Sequence, residues 1–150
     1  MNQLSRSISF LIVAFAPALA SGTPVDDANA VVDRWSAAYS SNDTEAVVRN
    51  YAADAILLGT VSPVMSVGTE AIRTYFSRLP GSGRKNVVGE RRSIPIDDNA
   101  VLVAGYYEFS NPSDSKALPR PSRFTMLVTR RDGAWRIAHY HSSTHVLPAK

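Results

Sequence analysis

The run from Ser122 to His145 constrains the chain most: two stretches rich in β-branched and aromatic residues meet at Asp132-Gly133. That pair accepts the positive φ angles of a two-residue hairpin turn, so the register follows by counting. Arg131 faces Ala134, and the pairs continue outward as Arg130 with Trp135, Val128 with Ile137, Met126 with His139 and Phe124 with His141. Side chains alternate across a strand, which places these residues on one face and Arg123, Thr125, Leu127, Thr129, Arg136, Ala138, Tyr140 and Ser142 on the other. The first face is the more apolar and is expected to look inward, carrying His139 and His141 with it. A β-bulge would shift the register by one and reverse the assignment of every residue beyond it.

Upstream, Ala28, Val31, Val32, Trp35, Ala38 and Tyr39 recur at three- and four-residue spacing, which predicts a helix over 26–41 with one buried stripe. Asn42 with Glu45 three residues on reads as the capping box of a second, shorter helix. A first strand is expected from Ala55 to Val61, and a third helix after Thr69 as N-cap, its inner positions Ile72, Tyr75, Phe76 and Leu79 stopped by Pro80. Asn86–Ile96 and Ala100–Ser110 read as two strands joined at Asp97-Asp98-Asn99, with Tyr107 on the more apolar side of the second. Helices followed by consecutive strands predict an α+β fold in which a curved, mostly antiparallel sheet covers helices packed on one face.

The first twenty residues are expected to lie outside this fold. Arg6, the short apolar run Ile8–Ala16 and the small-x-small site Ala18-Leu19-Ala20 have the form of a signal peptide, so residues 21–150 are expected to form one exported domain, periplasmic or secreted, with no membrane association after cleavage. The sequence has no cysteine, which removes disulfide and thiolate chemistry. Taking Arg6 from the sixteen basic residues leaves fifteen against thirteen acidic ones, too small an excess to point to nucleic acid.

The segment Arg130–Ser143 resembles the end of the association (hub) domain of calcium/calmodulin-dependent protein kinase II and its bacterial stand-alone relatives. These belong to the NTF2-like group, together with SnoaL-like, DUF4440-type and ketosteroid isomerase proteins. The likeness continues through Arg34–Tyr39, Tyr51–Ala55 and Gly68–Ile72. It implies a sheet wrapped around a long helix to form a cone with an open pocket, dimeric through the sheet or assembled further. The positions that carry an oxyanion-stabilising tyrosine and a catalytic aspartate in ketosteroid isomerases fall here at Trp35 and about Gly59, so isomerase chemistry is not implied. The pocket arginines of the hub domain fall at about Met126 and Ser142, so its affinity for acidic ligands is not implied either.

These readings define a candidate small-molecule pocket lined by Trp35, Tyr39, Phe76, Tyr107, Phe124, Met126, His139 and His141. Either histidine could act as a general acid or base, with Glu90 as a possible partner. Two imidazoles at i and i+2 could also chelate a metal, but no third ligand is placed to complete a shell, and no metal or cofactor is expected. Arg123, Thr125, Leu127, Arg136 and Tyr140 are expected at a homodimer contact. Three functions remain open: a pocket binding a small, partly apolar molecule without turnover, a SnoaL- or isomerase-type enzyme, and an oligomerisation module with a filled pocket.

Overall fold

In a computed structural model the described residues, 22–145, form one six-stranded sheet and one hydrophobic core. Helix α1 spans Pro24–Ser41. It starts two residues earlier than its apolar pattern because Thr23 caps it: the Thr23 hydroxyl accepts from the Asp26 amide at 3.2 Å, the Asp26 carboxylate accepts in return, and Pro24 fits the first turn. Asn42 does not cap the second helix as expected. It ends α1 in the left-handed conformation, with φ 61°, and Asp43 caps α2 (Thr44–Val48) by accepting from Ala46 N at 2.9 Å.

The remaining elements are β1 (Tyr51–Leu58), β2 (Met65–Val67), α3 (Gly68–Tyr75), β3 (Lys85–Asp97), β4 (Ala100–Ser110), β5 (Arg120–Arg131) and β6 (Ala134–Thr144). β1 starts four residues before its expected bound, and β2 is too short to have shown a period of its own. Thr69 is not the cap of α3, which begins at Gly68 without a side-chain cap. The strand order is β2-β1-β6-β5-β4-β3, with β1 parallel to β6 and every other neighbour antiparallel. The sheet lays Leu57, Val101, Val103, Met126, Val128 and Ile137 against α1, whose Trp35 is 1% exposed.

The hairpin turns at Asp132 (φ 51°) and Gly133 (φ 75°), as its two residues require. Its first pairs are the expected ones down to Val128 with Ile137. Beyond that point the structure departs from simple alternation. Leu127 pairs with His139, so Ala138 is an extra residue on β6, and the following pairs are Met126 with Tyr140, Thr125 with His141 and Phe124 with Ser142. The bulge reverses the expected assignment: Tyr140 and Ser142 are buried on the core side, and His139 and His141 lie on the outer one.

Candidate functional site

Between α1, the end of α3 and the sheet lies a cavity of about 500 Å³, within the range of small-molecule sites. Trp35, Tyr39, Tyr75 and Phe76, from α1 and the α3 end, form an aromatic wall, and Thr60, Tyr140 and Ser142 present hydroxyls from the β1 and β6 side. Trp35 is positioned by a hydrogen bond from Nε1 to the buried Tyr51 hydroxyl at 2.9 Å, and stacks on Tyr39 at 5.6 Å between centroids. Gly59 also lines the cavity because the Tyr75 ring occupies the space above it: a Cβ there would sit 2.2 Å from the Tyr75 hydroxyl oxygen.

Of the residues expected in the pocket, Trp35, Tyr39 and Phe76 line it. Tyr107, Phe124 and Met126 are buried behind that lining, in the core. Tyr107 still acts on the cavity, since its hydroxyl bonds to Tyr140 at 2.6 Å and to Ser142, and Ser142 bonds in turn to Thr60. His139 and His141 are not among the lining residues, because the bulge turns them through to the other face. There the two imidazoles flank one another, and the His139 pKa is lowered first by partial burial and then by His141. Glu90 also faces away from this site, exposed and paired with Arg92 at 3.0 Å.

Burial raises the pKa of Tyr51, Tyr107 and Tyr140, that of Tyr107 to about 12 despite its bonds to Ser142 and Tyr140. Near neutrality these phenols are therefore protonated and can donate. Sequence reasoning missed Tyr140, Ser142 and Thr60, and it also missed the charge at the mouth. The charged residues bordering the cavity are Arg78, Arg84, Arg120 and Asp114. Arg84 immediately precedes β3 and Arg120 opens β5 opposite Phe109, so the end of β4 lies between them. Both cations oppose the burial that raises the Tyr39 and Tyr75 pKa.

On the outer face a row of paired residues crosses all six strands: Val67, Ile56, His139, Leu127, Leu102 and Ile94. Of the expected contact residues, Arg123, Thr125 and Leu127 lie on this side. Tyr140 does not, and Arg136 donates to the Arg49 carbonyl at 2.7 Å beside the row.

Residues 28–148 match the model of the SnoaL-like domain. The chain belongs to the SnoaL-like domain family. A Xanthomonas campestris protein named as a calcium/calmodulin dependent protein kinase II association domain is 32% identical, over 87% of this chain and 93% of that one, with a TM-score of 0.74. A ketosteroid isomerase-like protein from Erwinia carotovora atroseptica (18% identity, 82% and 97% covered, TM-score 0.68) shares the fold. So does a Novosphingobium aromaticivorans protein named as a scytalone dehydratase (10%, 81% and 83%, 0.71). No curated protein matches the chain. This SnoaL-like chain thus has the NTF2-like architecture, with a cavity whose lining differs from the one its hairpin pattern suggests.

Proposed function

We propose that the cone is a ligand site for a small, flat, partly apolar molecule whose anionic end meets the arginines at the mouth. The observation that carries this reading is the void of about 500 Å³ between the aromatic wall and the hydroxyls of Tyr140 and Ser142. A purely structural module would have that space filled by side chains. The flat walls of Trp35, Tyr39 and Phe76 suit a ring, the one proton left free in the Tyr140–Tyr107–Ser142–Thr60 chain, at Ser142 or Thr60, suits an acceptor at the inner end, and Arg84 and Arg120 suit a carboxylate.

Binding is favoured over turnover by the chemistry of the lining. An isomerase-type enzyme needs a base beside its substrate. The groups at the inner end of the cavity are hydroxyls, the imidazoles that could serve as bases are on the far side of the sheet, and the one carboxylate among the described lining residues, Asp114, borders the cavity together with three arginines. Calorimetric titration with 4-hydroxybenzoate, and with 4-hydroxybenzamide as its neutral analogue, tests the reading. The acid should bind at least tenfold more tightly, Arg84→Gln and Arg120→Gln should remove that preference, and Ala117→Trp at the mouth should weaken both. Absence of binding by either probe would overturn the site, and equal binding would overturn its anionic end.

The same reading includes export and self-association. Export rests on the leader-like residues 1–20, which lie outside the described ones; sequencing the mature product from its N-terminus should give Ser21. Self-association rests on the outer apolar row. Ile94 is 60% exposed and Val67 55%, an apolar face that a second copy laid against it would cover. Leu127→Arg should convert a dimer to a monomer in light scattering while leaving probe affinity unchanged; a wild-type monomer would refute the contact.

A further inference from the structure

A second concavity lies away from the cone, where α1, the end of α2 and β6 meet. It measures about 420 Å³, and Ala37, Ala38 and Ala46 make its floor, so small side chains leave the space open. Three arginines from three elements border it: Arg34 of α1, Arg49 capping α2, and Arg136 of β6. No acidic residue lines the groove, and none of the three is paired with a carboxylate among the described residues. Of the other described arginines, Arg73, Arg91, Arg92 and Arg131 each hold a carboxylate, while Arg78, Arg84, Arg120, Arg123 and Arg130 do not.

Like charges gathered around one depression repel each other; Glu45, one turn before Arg49 on α2, offsets part of this at Arg49, and solvent or an arriving anion must offset the rest. Two further features add to this. Arg136 is held by its bond to the Arg49 carbonyl, which orders one guanidinium and leaves its other N–H groups available. The Trp135 indole lines the same groove with its Nε1 buried and without an acceptor, while Arg130 lies 5.8 Å from the centre of its ring.

We infer that this groove is an oxyanion site that takes a phosphate group. Guanidiniums donate in planar pairs, and three of them offer more donors than the two oxygens of a carboxylate can accept. A tetrahedral phosphate, with up to four oxygens and close to two negative charges, matches both the donor count and the charge. The phosphate arrives free or as the ester of a larger molecule, and the open side of the groove admits either. Because the arginines are exposed, binding weakens as salt rises.

The test is a titration of the full, isotope-labelled protein with inorganic phosphate at fixed ionic strength, followed by NMR. Trp135 and Trp35 give separate indole signals, and the latter reports the cone. Saturable movement of the Trp135 signal with Trp35 unmoved is the expected result. Arg34→Gln combined with Arg136→Gln should weaken binding at least tenfold without lowering Tm, and Arg123→Gln should titrate like the wild type. Glycerol 3-phosphate as a second probe tells the source: tighter than phosphate means an ester, weaker means the free ion. The site is overturned if chloride alone moves the signal equally or if the double variant binds like the wild type. Equal binding of acetate would overturn its assignment to phosphate.

Discussion

The reversal of β6 can be tested through two hydroxyls. Tyr140 is 2% exposed and bonds to the Tyr107 hydroxyl, which bonds onward to Ser142 and, through it, to Thr60. Tyr140→Phe removes the end of this chain and leaves every other member with a partner, so it should cost about 1 kcal/mol, the net value of one buried hydrogen bond. Tyr107→Phe removes the middle. It loses two bonds and strands the Tyr140 hydroxyl, for a total of about 2–3 kcal/mol. In the double variant the stranded group is gone, so the combined cost should fall about 1 kcal/mol short of the sum. Urea unfolding at pH 7 measures all three, and each kcal/mol should also appear as a Tm shift of about 3–5 °C. Additive costs, or a Tyr140→Phe variant with wild-type stability, would refute the reasoning. The second outcome is what the simple alternating register requires, since it puts Tyr140 on the outer face.

The raised phenol pKa values make stability fall in alkali. Up to about pH 10 both states keep the proton; above it the unfolded chain ionises first, and each buried tyrosine removes about 1.4 kcal/mol per pH unit until its folded form ionises too. For Tyr107 that limit is about 12, and Tyr107→Phe should visibly flatten the decline in unfolding midpoints between pH 9.5 and 11.5. His139 behaves in the opposite sense. Its folded pKa is depressed, so its contribution is present above the ordinary imidazole value and is lost as pH falls through the folded one; NMR titration of His141→Gln should show the His139 value rise. Gly59→Ala should push the Tyr75 ring out of the cavity wall and weaken 4-hydroxybenzamide binding by about tenfold or more, measured by calorimetry, while a wild-type affinity would show that the ring is not fixed there.

Much of the fold could be read from periodicity because burial itself is periodic. The stripe of Val31, Val32, Trp35 and Tyr39 gave α1, strict alternation gave β4 to its last residue, and Asp132-Gly133 gave the turn. What could not be read are features settled between elements. β2 is three residues long and exists only because β1 offers an edge for it. Ala138 carries no mark of a bulge, since alanine fits a regular strand as well. The extra residue is decided by pairing on both sides: β1 shows its own irregularity between Tyr51 and Ile56 against the same stretch of β6. The cavity charges were hidden for a related reason. Arg84 and Arg120 lie 36 positions apart, outside every element that the periodicity predicts, and only the sheet order brings them to either side of β4.

One inserted residue therefore allots chemistry between the two faces of the sheet. Without the bulge, with Ala138 in a regular strand position, alternation from Ile137 would send His139 and His141 into the cone, and a titratable base would stand beside Trp35. With the bulge, the cone receives the hydroxyls of Tyr140 and Ser142, the Tyr140 proton being held well past neutral pH, and His139 joins the apolar row of Leu127, Leu102 and Ile94 while His141 pairs with Thr125 beside it. A cavity lined by fixed donors and rimmed by arginine is complementary to a charge already present on a ligand. Proton abstraction would instead fall to Asp114, the one carboxylate among the described lining residues. The hydroxyls on the core side and the imidazoles on the outer one thus come from alternate residues of the same strand.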